Sequence, residues 1–184
     1  MPGMAQTRPK PMSLTQFLDW EERQSARHEF VDGAVVMMAG GTAAHDSIRL
    51  GIASTLRAKL AGGRCRVHLD LKLVCPNGRS RYPDVAVVCG PPDPKATQLA
   101  DPVVLVEVLS PSTRASDYIV KSADYGSVPS VAVYLLVDPD ERHIDVVRRI
   151  GGALLPPEDE SPPGAVIDLP EIGVTLTLAE IYGS

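Results

Sequence analysis

Cysteine is scarce in this 184-residue chain: Cys65, Cys75 and Cys89 are all it has. The odd number and the lack of C-x-x-C spacing argue against a disulfide framework and a zinc site, and predict reduced thiols in a cytoplasmic protein. Aromatic residues make up 4%, which weakens any reading as a single-strand binder that stacks bases. Positive charge is outnumbered, 18 Lys and Arg against 23 Asp and Glu for a net −5. An acidic chain is not a non-specific nucleic-acid coat, so any nucleic-acid role must come from a local site. No apolar run approaches the roughly 20 residues that span a bilayer, and residues 1–12 lack an apolar stretch of the signal-peptide kind. Also missing are a phosphate-cradling glycine loop of Walker or dinucleotide type and a Gly-x-Ser-x-Gly elbow.

What is present reads as one globular domain. Hydrophobic residues make up 44% and charged residues 22%, close to soluble averages and enough for a real core. Pro2, Gly3, Pro9 and Pro11 mark 1–12 as a disordered tail, with a single domain over 13–184. Ser13 and Gln16 have capping-box spacing ahead of an apolar stripe, Leu14, Phe17 and Leu18, predicting a first helix. Asp32-Gly33 between His28–Val31 and Ala34–Met38 predicts a β-hairpin. Ile48, Ile52, Leu56 and Leu60 recur every fourth residue in a long helix from Ala43 to Ala61, stopped by Gly62-Gly63. The middle is rich in strands: Cys65–Val74, then an Asn77-Gly78 turn, Tyr82–Cys89 and Val103–Leu109. Pro111 ends the last of these, and Ser112 or Thr113 caps a helix reaching about Tyr125. Val131–Val137 and Ile144–Arg149 form further strands, Pro156–Gly164 a loop, and Thr177-x-x-Glu180 caps a final helical turn. Apolar runs of this kind fit strands buried on both faces. The expected fold is α/β or α+β, with a mixed central sheet flanked by helices.

Glu107 is the costly residue. It lies inside Val-Val-Leu-Val-Glu-Val-Leu, where a carboxylate must be protonated, paired with a cation or bound to a metal. Alternation places Val103, Leu105, Glu107 and Leu109 on one face and Val104, Val106 and Val108 on the other. Asp84, directly after Pro83, heads the second apolar strand. If the two strands are neighbours in the right register, the carboxylates face each other across roughly 5 Å and repel unless a cation sits between them. Magnesium suits such a pair, since it takes one or two carboxylates and keeps several waters. Taken singly, each residue has an ordinary explanation: a strand-start aspartate and a buried ion pair.

Tyr82-Pro83-Asp84-Val85-Ala86-Val87-Val88 and Val106-Glu107-Val108-Leu109-Ser110-Pro111-Ser112-Thr113 resemble the bacterial Uma-two family of putative restriction endonucleases, in the PD-(D/E)xK nuclease superfamily. The flanks agree with it: Glu29-Phe30-Val31-Asp32-Gly33, His45 at the head of the long helix, Asp117, Lys121 and Tyr125 after the second motif, and Tyr134-Leu135-Leu136-Val137-Asp138-Pro139. The resemblance covers nearly all of 14–182. It implies a restriction-endonuclease-like fold, Mg- or Mn-dependent cleavage of DNA phosphodiester bonds, and a homodimer. Asp84 and Glu107 are then the metal ligands, with the Val108 carbonyl as a third oxygen. The family's Glu-x-Lys lysine is Leu109 here, and Lys121 is the expected substitute, orienting water and offsetting developing charge. Lys121 is equally placed for an ordinary i, i+4 ion pair with Asp117. Glu29 is either an outer carboxylate that holds a metal-bound water or a polar hairpin residue. His45 either contacts phosphate or carries a proton, or is simply solvated. Arg79, Arg81, Arg148 and Arg149 either grip a nucleic-acid backbone or are solvated strand ends. The competing reading is a catalytically inactive binding or scaffold protein that keeps the nuclease fold, favoured by Leu109 and the net charge.

Overall fold

Ser13 closes the predicted capping box. Its Oγ accepts the Gln16 N–H at 3.2 Å and its own N–H reaches Gln16 Oε1 at 2.9 Å, which starts helix α1, Leu14–Glu21. In this computed structural model the described residues are 12–38, 40–110, 117–156, 158–159 and 165–183. Most of the predicted tail and the Ser112/Thr113 cap lie outside them. Phe17 of α1 is fully buried and stacks on Phe30 at 5.0 Å. Phe30 belongs to strand β1, His28–Val31, which pairs with β2, Ala34–Met37. Asp32 and Gly33 both have positive φ, 49° and 84°, as a two-residue type I′ hairpin turn requires.

Helix α2, Ala43–Lys59, starts where Thr42 Oγ1 accepts the His45 N–H at 3.2 Å. Its stripe of Ile48, Ile52, Leu56 and Leu60 is buried as expected. The predicted strand from Cys65 to Val74 is two strands, β3 (Cys65–Leu69) and β4 (Leu73–Val74), in different sheets. The chain turns between them at Asp70, whose φ is 49°, while Arg49 and Arg27 hold its carboxylate. Next come β5 (Ser80–Arg81), β6 (Val85–Cys89) and β7 (Pro102–Val108). A π-helical turn, Asp117–Lys121, leads into α3, Ser122–Gly126. Then follow β8 (Val133–Asp138), β9 (His143–Ile150), β10 (Ala153–Leu154), β11 (Glu158–Asp159), β12 (Val166–Leu169) and β13 (Val174–Thr177). Helix α4, Leu178–Tyr182, opens with the predicted Thr177/Glu180 capping box. Part of the expected 156–164 loop is thus strand β11, which pairs with β9.

The central sheet runs β10-β9-β8-β7-β6-β3, with β11 also on β9. Its β7–β8 pair is parallel and the other pairs are antiparallel, so the sheet is mixed as expected. Strands β2-β1-β5-β4 form a second sheet and β12-β13 a third. Two cores sandwich the central sheet. Ile52 and Leu56 of α2 meet Val85, Val87, Val104, Val106 and Val108 on one face. Ala86, Leu105, Leu109, Tyr125 and Leu136 meet on the other. Val103 departs from the alternation and packs on the first core, because the register shifts beside it: Val87 pairs with Val104 but Val88 with Pro102. Among the described residues no helix is long and apolar enough to cross a membrane.

The cysteine expectation is corrected. Cys65 lies directly opposite Cys89 in the β3–β6 register, and the two form a disulfide. The scarcity of cysteine therefore gives no support to a cytoplasmic location. Cys75 is free and buried, and burial pushes its thiol up to about 12, which leaves it unreactive. Since the disulfide closes a loop of sequence separation 24, reducing it should cost about 3 kcal/mol and lower the melting temperature by roughly 6–12 °C. Thermal melts with and without a phosphine reductant check this, and identical melts would show that the bond is absent.

Candidate active site

The β6–β7 register pairs Val85 with Val106, and one further step puts Asp84 opposite Glu107. Leu105, two residues before Glu107 on β7, belongs to the second core, so parity sends the Glu107 carboxyl to that side of the sheet. Asp84 stands one residue before β6, and its carboxyl lies against His45 of α2. Both residues are buried, with relative exposures of 8% and 4%. Asp84 Oδ2 accepts the Val108 N–H at 2.8 Å and lies 3.2 Å from His45 Nε2. Nothing among the described residues donates to its Oδ1. Glu107 is held at both oxygens: Lys121 Nζ lies 2.9 Å from Oε2 and the Tyr125 hydroxyl donates to Oε1 at 2.5 Å.

The electrostatics follow from this crowding. Burial pushes the Glu107 carboxyl up to about 8, against the pull of Lys121, while the neighbouring Asp84 pushes the same way as burial. The bond to Asp84 raises the His45 imidazole against partial burial, and Glu107 adds to the rise. The structure therefore brings together four of the expected residues: Asp84, Glu107, Lys121 and His45. Lys121 pairs with Glu107; the Asp117 side chain lies outside the described residues. Leu109, at the family's lysine position, is 6% exposed and packs in the second core. His45 is in contact with Asp84 rather than solvated.

Glu29 has a different engagement. It accepts from Arg81 Nη1 at 2.7 Å and from the Tyr82 N–H at 3.3 Å, near enough to act on Glu107 through space. Arg81 continues to Asp124, which is wholly buried and takes bonds from Arg81 Nε, Arg79 Nη1 and Asn77 Nδ2 at 2.7, 2.8 and 2.7 Å. The four arginines are thus neither loose strand ends nor free grips. Arg149 binds the carbonyls of Val131, Gly126, Val128 and Gly152, and Arg148 binds the Asp168 carbonyl and lies near Glu171. Asp124 is the residue beside the site that the motifs do not point to. They match Tyr125 only to the helix after the second motif and Arg81 only to a backbone grip or strand end, and place neither beside Glu107 or Glu29.

His45 and Asp84 line a cleft of about 450 Å³ together with Gly41, Arg49 and Asp70. Gly41 matters sterically. A Cβ there would lie 2.8 Å from His45 Nδ1, so Gly41→Ala should swing the ring off Asp84. We expect it to match His45→Ala, each slowing any cleavage about tenfold, with no further loss in the double variant. Additive losses would separate the two residues.

Among the described residues no group of three or more His, Cys, Asp and Glu side chains forms a metal-holding cluster. The donors that do converge are the Asp84 and Glu107 carboxylates and one backbone oxygen. The Val108 N–H points to Asp84, and in an extended strand a residue's C=O points the same way as its N–H. This all-oxygen set, sparse and with an undonated Asp84 oxygen, fits a hard divalent ion that retains water.

The site is thus a mixed sheet carrying two opposed carboxylates and a lysine from the following helix. The chain belongs to the Uma2 family, described as putative restriction endonuclease, whose match covers residues 14–179. The crystal structure of a putative nuclease from Anabaena variabilis shares the fold, with a TM-score of 0.75 and 20% identity over 94% of this chain and 98% of that one. Two uncharacterized proteins of Synechocystis sp. are similar in sequence. One is 38% identical over 141 residues, 75% of this chain and 74% of its own. The other is 25% identical over 147 residues, 77% of this chain and 83% of its own.

Proposed function

We propose that the chain is a divalent-metal-dependent endonuclease that hydrolyses DNA phosphodiester bonds. The observation that carries this is the buried Asp84–Glu107 pair, two acidic groups opposite one another at the ends of neighbouring apolar strands, with Lys121 on one of them. Asp84, Glu107 and the Val108 carbonyl would hold magnesium or manganese. When bound, the ion supplies a water of lowered pKa and charge stabilisation at the phosphate. Lys121 provides the cation that the Glu-x-Lys pattern places at the position of Leu109, steadying Glu107 and offsetting negative charge that develops at the phosphorus. His45, whose imidazole is raised by its bond to Asp84, faces the cleft side and meets a phosphate oxygen. Glu29 is tied to Arg81 and acts as an outer carboxylate by its field.

The arginines that pair within the protein favour a second reading, an inactive nuclease-fold binding protein, since they leave few grips for a phosphate backbone. Incubation with supercoiled plasmid separates the two. Active protein nicks or linearises plasmid in magnesium or manganese and stops on chelation. A homodimer acting on both strands would yield linear product with little nicked intermediate. Intact plasmid at high protein concentration, with no thermal shift on adding metal, would establish the inactive reading.

A further inference from the structure

The Tyr125 hydroxyl has no part in the activity proposed above, yet it is bonded to Glu107. Its ring is wholly buried and meets the Tyr134 ring edge-on, 5.0 Å between centroids at 80°. Tyr134 pairs with Leu105 across the β7–β8 register, two residues before Glu107 and on the same face. The phenol is therefore fixed in direction by packing that does not involve the carboxylate. The helix that carries it is anchored one residue earlier, where buried Asp124 takes three hydrogen bonds from Asn77, Arg79 and Arg81. Lys121 and Tyr125 are one helical turn apart and lie on opposite oxygens of Glu107. With one oxygen on each donor, the carboxylate cannot rotate about its last bond.

We infer that Tyr125 is a positioning residue that sets the plane of the Glu107 carboxylate for metal binding. The inference rests on the metal-dependent reading of the Asp84–Glu107 pair. Partners one step behind a metal ligand commonly govern its affinity by orienting it, and their loss weakens binding about 10- to 100-fold. Lys121 alone would leave Glu107 hinged on a flexible four-carbon stem, whereas the phenol is rigid.

Titrating the full chain with manganese by calorimetry tests this. Tyr125→Phe keeps the ring and its contact with Tyr134, and should raise the manganese Kd at least tenfold. At saturating manganese it should lower kcat and leave KM for DNA unchanged. Tyr134→Phe removes the neighbouring hydroxyl and should leave the manganese Kd within twofold of wild type. Should Tyr125→Phe fail to fold, 4-aminophenylalanine at position 125 keeps a donor in place and should bind manganese within about threefold of wild type. Wild-type affinity in Tyr125→Phe, whatever its melting temperature, overturns the inference, as does a Kd at least tenfold weaker with the amino analogue in folded protein. Failure of the wild-type chain to bind manganese overturns the metal reading and this inference with it. Manganese binding by wild type that is unchanged in Tyr125→Phe overturns the inference alone.

Discussion

Asp84→Asn is expected to abolish both the rise in melting temperature that manganese or magnesium gives the wild-type protein and all cleavage above a no-protein control. Asparagine has nearly the same shape, and its carbonyl oxygen can still accept the Val108 N–H. The variant should fold, and in chelator it should melt close to wild type, because losing the negative charge also relieves its repulsion of Glu107. What it cannot keep is the second anionic oxygen donor. An ion at 100 times its Kd stabilises the folded state by about 2.7 kcal/mol, a shift of roughly 5–10 °C for a domain of this size. That whole shift should vanish. Metal-induced stabilisation of Asp84→Asn equal to that of wild type would place the ion elsewhere.

Lys121→Ala is expected to remove the chemistry while the metal site still fills at raised pH and excess metal. Nζ is 2.9 Å from Glu107 Oε2, and loss of one group that stabilises developing charge typically costs about 100- to 1,000-fold in rate. The sign of the accompanying pH effect follows from the pairing. Lys121 pulls the Glu107 carboxyl down against burial, so its removal lets that carboxyl rise further above about 8, and an ion must displace the proton. Metal affinity of the variant should therefore fall at pH 7 and recover as pH rises. The cleavage assay belongs at about pH 8 with excess manganese. Full cleavage by the variant under those conditions would remove Lys121 from the mechanism and leave it as a structural ion pair.

Local features of the chain were legible because short-range rules determine them. The Ser13/Gln16 and Thr177/Glu180 boxes, the Asp32-Gly33 turn and the four-residue repeat from Ile48 to Leu60 all appear where spacing predicts. The Asp84–Glu107 pairing was legible too, since two consecutive apolar strands tend to lie side by side. The misses are long-range. Cys65 meets Cys89 only because β3 joins the central sheet beside β6, a pairing that no local pattern encodes. Val103 leaves its expected face through a one-residue shift in register. Arg79 and Arg81 read as surface charges because their partner, Asp124, lies more than 40 residues away on a helix. The expectation that Lys121 stands in for the lysine absent at Leu109 came from family resemblance; what the structure adds is its contact with Glu107.

Diffraction from a crystal soaked in manganese, at a wavelength where manganese scatters anomalously, tests the pairing of the two carboxylates over an ion most directly. The predicted result is a single anomalous peak coordinated by Asp84 and Glu107, with the Val108 carbonyl and waters completing the shell. A peak bound elsewhere, or no peak between the two carboxylates at saturating manganese, would contradict it.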